Sequence, residues 1–190
     1  MRTAPRDWTG LVFIATSVDG YIAQPDGGLD WLTDPPAESR HAAAHAGEDA
    51  PPDYDAFTEG VSHLVMGRAT YEKVLTFGFW PYEHFRTVVI STTLTPGRDE
   101  RITVVASVDD ACALLDEEHA TQVYVDGGQV VTEFLGRGLI DELVISRAPV
   151  ILGDGLPLFH RMPAETRLIH LGTSTTDSGM TTTRYRLAAR

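Results

Sequence analysis

Val61-Ser62-His63-Leu64-Val65-Met66-Gly67-Arg68-Ala69-Thr70-Tyr71-Glu72 is a short apolar run that stops at a glycine and passes at once into a helix-forming segment. A run of this length suits a buried strand, and the residues after it suit a helix packed over the sheet. The same grammar recurs at Val123-Tyr124-Val125, followed by Asp126-Gly127-Gly128-Gln129 and then Val130-Val131-Thr132-Glu133-Phe134-Leu135. Two strand–glycine–helix junctions, set among other short apolar runs that alternate with helical patterns, predict an α/β layer protein.

Working outward, strands are predicted over residues 11–16, 63–66, 87–91, 103–105, 122–125 and 142–147. Helices are predicted over 53–60, 69–75, 108–118 and 130–137. The tail reads as two strands, 167–174 and 180–187, around the polar turn Thr176-Asp177-Ser178-Gly179, so an antiparallel hairpin should close a mostly parallel sheet. Residues 33–52 break the rhythm with alanines, histidines, acids and paired prolines. That stretch is too long for an ordinary connection and is expected to be a lid or a short helix flanked by loops. His41 and His45 stand four apart, as metal ligands on a helix do, but no third ligand stands nearby in sequence; no metal site is predicted.

At 190 residues the chain fits one domain, 1–190. Its 27 acidic against 15 basic residues give a formal charge of −12, which repels nucleic acid and anionic lipid alike; neither is an expected partner. The single cysteine, Cys112, excludes an intrachain disulfide and a cysteine-based zinc site. It lies in an apolar run and is expected to be buried and inert. The first residues lack the apolar core of a signal peptide, and no apolar stretch reaches membrane-spanning length, so a cytoplasmic location is expected. Lys73 is the only lysine, and its place in a predicted helix argues against Schiff-base chemistry.

Chemistry is expected where strands run into glycine turns. Arg68, the Thr70 hydroxyl and the N–H groups that open the helix after Gly67 form a donor set suited to phosphate. The same residues would also serve as a solvated arginine and a helix cap. Gly127 and Gly128 would let a pyrophosphate approach the backbone, or would simply make a tight turn. Together the two junctions point to a nucleotide. After the strand at 87–91, Ser91-Thr92-Thr93 and the nearby Arg98 offer hydroxyls and a cation where NAD-binding folds offer an acid. That set suits a 2′-phosphate and favours NADP. The first strand runs into Ser17-Val18-Asp19-Gly20-Tyr21-Ile22-Ala23 and then Pro25-Asp26-Gly27-Gly28-Leu29-Asp30-Trp31. Asp19, then Asp30, are the candidates to orient or protonate a substrate; a turn-forming carboxylate bonded to its own backbone is the competing role for Asp19.

Taken in order, Ser17–Ala23, Met66–Glu72, Val125–Gly128 and Pro149-Val150-Ile151-Leu152-Gly153-Asp154-Gly155-Leu156-Pro157-Leu158-Phe159 resemble the dihydrofolate-reductase-like superfamily. The match is with its riboflavin-biosynthesis reductase branch, the C-terminal domain of deaminase-reductases, and it spans residues 11–187. The resemblance implies a three-layer α/β/α fold and an NADPH cofactor lying across the carboxyl edge of the sheet. It implies phosphate contacts at Gly67, Arg68 and Thr70, and Ser91 and Thr92 beside the adenosine 2′-phosphate. Gly127, Gly128, Gln129 and Val130 would meet the pyrophosphate and nicotinamide side, with Ala15 and Ile22 framing the nicotinamide. It implies a small pteridine- or ribosylaminopyrimidine-like substrate and a homodimer.

Two departures narrow this. No cysteine-rich deaminase signature is present, so this chain could supply only the reductase. Folate reductases place a carboxylate a few residues past a Pro-Trp pair; here no proline precedes Trp31, Pro36 stands five residues on, and Asp30 and Asp34 are out of register. Dihydrofolate reductase is thereby an alternative, as is a non-catalytic NADP-binding sensor or storage protein.

Overall fold

The computed structural model describes residues 6–33, 45–46, 50–162 and 164–188. Its elements are β1 (Thr9–Thr16), β2 (Tyr21–Ala23), α1 (Asp30–Thr33), β3 (His45–Ala46), α2 (Tyr54–Thr58), β4 (Val61–Gly67), α3 (Arg68–Leu75), β5 (Arg86–Ile90), β6 (Ile102–Val105), α4 (Val108–Glu117), β7 (Gln122–Asp126), α5 (Gly128–Arg137), β8 (Glu142–Arg147), β9 (Leu156–Pro157), β10 (Leu168–Thr175) and β11 (Thr181–Leu187). Nine strands form one sheet in the order β3-β10-β11-β8-β1-β7-β4-β5-β6. The ladders from β8 to β6 are parallel. Those joining β8, β11, β10 and β3 are antiparallel. The mostly parallel sheet with its C-terminal hairpin is as the sequence predicts.

Alternation along each strand sorts the apolar side chains between the two faces. Val12, Ile14, Val65, Val88, Val123 and Val125 pack on one face with α4 and α5, where Phe134 is fully buried. Leu11, Leu64, Met66, Val89 and Tyr124 pack on the other with Phe57 of α2 and Tyr71 of α3. Because both faces are covered, the central strands read as continuous apolar runs rather than alternating ones. Gly10 lets the edge of β1 meet the chain after α5: a Cβ there would fall 2.0 Å from the Leu139 carbonyl oxygen.

This layering fixes where a ligand can enter. Neighbouring strands β4 and β7 run parallel, with Met66 opposite Asp126. The helix after β4 lies on one face of the sheet and the helix after β7 on the other. A crevice therefore opens between their carboxyl ends, the topological switch point of an open α/β sheet.

Some elements depart from expectation. α5 begins at Gly128, two residues earlier than predicted, and so includes one of the glycines assigned to the turn. β2 and β9 form a separate two-stranded ribbon, with Tyr21 opposite Pro157, which periodicity cannot reveal in elements this short. Within 33–52, β3 pairs with β10 at the sheet edge, Thr175 opposite His45; His45 is thus in a strand rather than a helix. His41 and the rest of the expected lid, up to residue 49, lie outside the described residues. Cys112 is half-buried rather than fully buried, and burial pushes its thiol up, away from the reactive thiolate. Among the described residues no helix is long and apolar enough to cross a membrane.

Candidate active site

Helix N-termini decide what the crevice can hold. α2 and α4 are capped by side chains: Asp53 accepts from the Ala56 N–H at 2.9 Å, and Ser107 from the Asp110 N–H at 3.1 Å. α3 and α5 open at Gly67 and Gly127 with no side-chain cap. These two helices begin at the β4/β7 crevice. Uncapped N–H groups at a dipole's positive end form an anion site.

The two junctions interlock. A Cβ on Gly127, whose φ is +89°, would fall 2.4 Å from Thr70 Oγ1, and one on Gly67 would fall 3.3 Å from Val130 Cγ2. Thr70 with Gly127, and Gly67 with Val130, are therefore neighbours, which brings the two junctions side by side. Arg68 is exposed and donates to the Glu72 carboxylate at 2.8 Å, a pair that a phosphate could replace. Ser91 and Thr92 follow β5 at the same edge, since Gly67 stands opposite Ile90. Ser91 Oγ accepts from the N–H groups of Thr93 and Leu94, at 3.1 and 3.0 Å, which orders this turn. Thr92 is exposed. Arg98 lines a groove of about 590 Å³ that leads on from Thr93 along Tyr71 and Arg101.

Gly128 has another role than the one expected of it. A side chain there would strike the Pro157 carbonyl oxygen at 2.3 Å, so its missing Cβ accommodates protein rather than pyrophosphate. Val130 is buried, with its Cγ2 against Gly67 at the junction. Gln129 is exposed. Ala15 and Ile22, both half-buried, stand at the end of β1 and in β2.

The candidate catalytic acids separate. Asp19 binds through both oxygens to a distant loop, accepting from Leu152 N–H at 3.1 Å and Gly153 N–H at 2.8 Å. The Ser17 hydroxyl and these N–H groups hold its carboxyl below the usual range. A carboxylate so held is a poor proton donor, and besides Ser17 in its own turn it binds residues 133–134 positions away. Asp30 opens the four-residue α1 and is exposed.

Asp126 was not foreseen. It ends β7 on the same face as Tyr124, and burial pushes its carboxyl up to about 6, against the opposing pull of the Gly127 N–H that donates to its Oδ1 at 2.8 Å. Tyr54, Tyr82 and Tyr124 surround this charge; burial first, and then the Asp126 charge, raise their hydroxyls. Phe13 and Phe57 complete the aromatic wall, with ring centroids 5.0 Å apart, and Tyr54 meets Phe13 edge-on at 5.6 Å. The available signal was strand alternation, which puts residue 126 on the face of residue 124, together with an acid at a carboxyl edge.

The RibD C-terminal domain family model matches residues 9–182. The chain belongs to that family. It is 35% identical over 167 residues to protein YwjB of Bacillus subtilis (strain 168), covering 86% of this chain and 89% of that protein. A Shewanella sp. PV-4 protein named for riboflavin biosynthesis is 34% identical, with a TM-score of 0.80, covering 95% of this chain and 99% of that one. Enterococcus faecalis dihydrofolate reductase, in complex with NADP(H), shares the fold at 21% identity and a TM-score of 0.59, covering 95% of this chain and 97% of its own. The RibD-like chain thus has the dihydrofolate-reductase-like fold.

Proposed function

We propose that this RibD-like protein is an NADPH-dependent reductase that passes a hydride to a small pteridine- or ribosylaminopyrimidine-like heterocycle. The observation that carries the reading is the meeting of two uncapped helix N-termini, beside the half-buried Asp126 carboxyl and its neighbouring tyrosines. Bound NADPH would supply the hydride. Arg68, Thr70, Ser91, Thr92 and the first N–H groups of α5 would bind its phosphates, and Ala15 and Ile22 would frame the nicotinamide end. Phe13, Tyr54 and Tyr82 would offer flat surfaces on which a heterocycle could stack.

Reducing a C=N or C=C bond needs a proton as well as a hydride. Asp126 would provide it: a carboxyl with a value of about 6 is still protonated in about a tenth of molecules at neutral pH. In this reading Asp126 replaces Asp19 and Asp30 as the proton-carrying acid. A homodimer, as in the riboflavin branch, belongs to the same proposal and is tested by light scattering.

The test is loss of the reduced-nicotinamide absorbance with a panel of pteridines and pyrimidines, using NADPH and NADH. Turnover that prefers NADPH and is lost in Asp126→Asn supports the reading. Binding of NADPH with no turnover on any member would instead favour the sensor alternative, and equal, weak binding of NADPH and NADH would overturn both.

A further inference from the structure

Residues 149–158 form a strap that spans from the loop after β1 to the start of α5. On the loop side, Val18 N–H donates to the Val150 carbonyl at 2.8 Å and Leu158 N–H to that of Gly20 at 3.0 Å; β2 pairs with β9. On the helix side, the Pro157 carbonyl fills the space that Gly128 leaves open. Thr132 Oγ1 donates to the Leu158 carbonyl at 3.4 Å and accepts from His160 N–H at 2.9 Å. Between these anchors the strap's tip is mostly exposed, with Ile151 72% exposed and Leu152 half-buried. Polar ties therefore contribute much of its positioning. The Asp19 carboxylate, accepting from both Leu152 and Gly153, is the tie that reaches the tip.

We propose that Asp19 is a positioning residue, whose two bonds hold the strap as a preformed wall at the nicotinamide end of the cleft. The inference rests on the NADPH reading above. It assigns Asp19 no contact with reacting atoms; the residue acts through the strap on β2, which carries Ile22, and on the first turn of α5. Because the tip is mostly exposed, loss of these bonds frees the strap locally and leaves the core intact.

Asp19→Asn is the informative variant. It keeps the shape, but one of its two terminal atoms becomes a donor facing a donor. Hydrogen exchange in the cofactor-free protein should show loss of protection at the Leu152 and Gly153 amides of about tenfold or more, the equivalent of one charge-assisted bond. Exchange in β7, and in α5 beyond its first turn, should stay unchanged. The dissociation constant and KM for NADPH should rise by about the same factor, with kcat much less affected. Asp19→Glu, which retains two acceptors, should recover part of the protection and of the affinity. Unprotected amides in the wild type, or protection lost with NADPH affinity unchanged, would overturn the proposal. A fall in kcat with KM unchanged would also overturn it, making Asp19 a reacting group. A wild type that binds no NADPH would instead overturn the reductase reading and the strap's role as a cofactor wall, while the exchange data would still decide whether Asp19 fastens the strap.

Discussion

Gly128→Ala tests how the strap and α5 fit together, and its size can be worked from the geometry. The new Cβ would lie 2.3 Å from the Pro157 carbonyl oxygen and 3.1 Å from that of Leu158. Carbon–oxygen contacts settle no closer than about 3.3 Å, so the strap or the helix must give way by roughly 1 Å. Both groups are backbone and cannot rotate aside. Overpacking of this kind costs about 1–3 kcal/mol, which in a protein of this size lowers Tm by roughly 2–12 °C. A displacement of about 1 Å beside a reacting centre can cost on the order of a hundredfold in rate. Gly136→Ala is the internal control. It lies in the same helix, a Cβ there meets nothing within 4 Å, and it should be neutral or stabilise by up to about 1 kcal/mol. Thermal and urea unfolding of both variants, with NADPH titrations followed by fluorescence, read the outcome. A Gly128→Ala protein as stable and as tight-binding as Gly136→Ala would refute the reasoning.

Three other outcomes are expected. Arg68→Ala removes only an exposed ion pair worth about 0.5 kcal/mol or less, so unfolding should barely change while NADPH affinity falls; unchanged NADPH affinity would take Arg68 out of the phosphate site. The Asp126 carboxyl binds its proton more tightly folded than unfolded, so its contribution to stability is present below about pH 4 and is lost as pH rises through about 6. The difference in Tm between Asp126→Asn and wild type should therefore grow in the variant's favour over that interval, and a flat difference would count against a buried, raised carboxyl. Asp53→Ala removes the cap of the helix that carries Tyr54 and Phe57 and should cost about 1 kcal/mol, measured by urea unfolding.

Much of the layout was legible because the central strands are buried on both faces and their helices have apolar periods. β4, β7 and their glycine exits could be read as written, and so could the hairpin around Thr176–Gly179. The β2–β9 ribbon could not, since two or three residues carry no period and their pairing is decided by the strap's contacts. The two uncapped helix starts were legible, because they depend on local strand–helix grammar. The acid was not. Asp19 and Asp126 both precede a glycine, and only tertiary contacts separate them: one is met by two N–H groups and held ionised, and the other lies half-buried near tyrosines and holds its proton more tightly. Gly128 was misread for a related reason, because a glycine cleared for a ligand and one cleared for a neighbouring carbonyl look alike in sequence.

The most direct test of the account is a crystal structure of the protein grown with NADPH. The account predicts pyrophosphate oxygens within hydrogen-bond distance of the first N–H groups of α5, a phosphate beside Arg68 and Thr70, and the nicotinamide near Ala15 and Ile22. Cofactor density elsewhere on the molecule, with the crevice between β4 and β7 left to solvent, would contradict it.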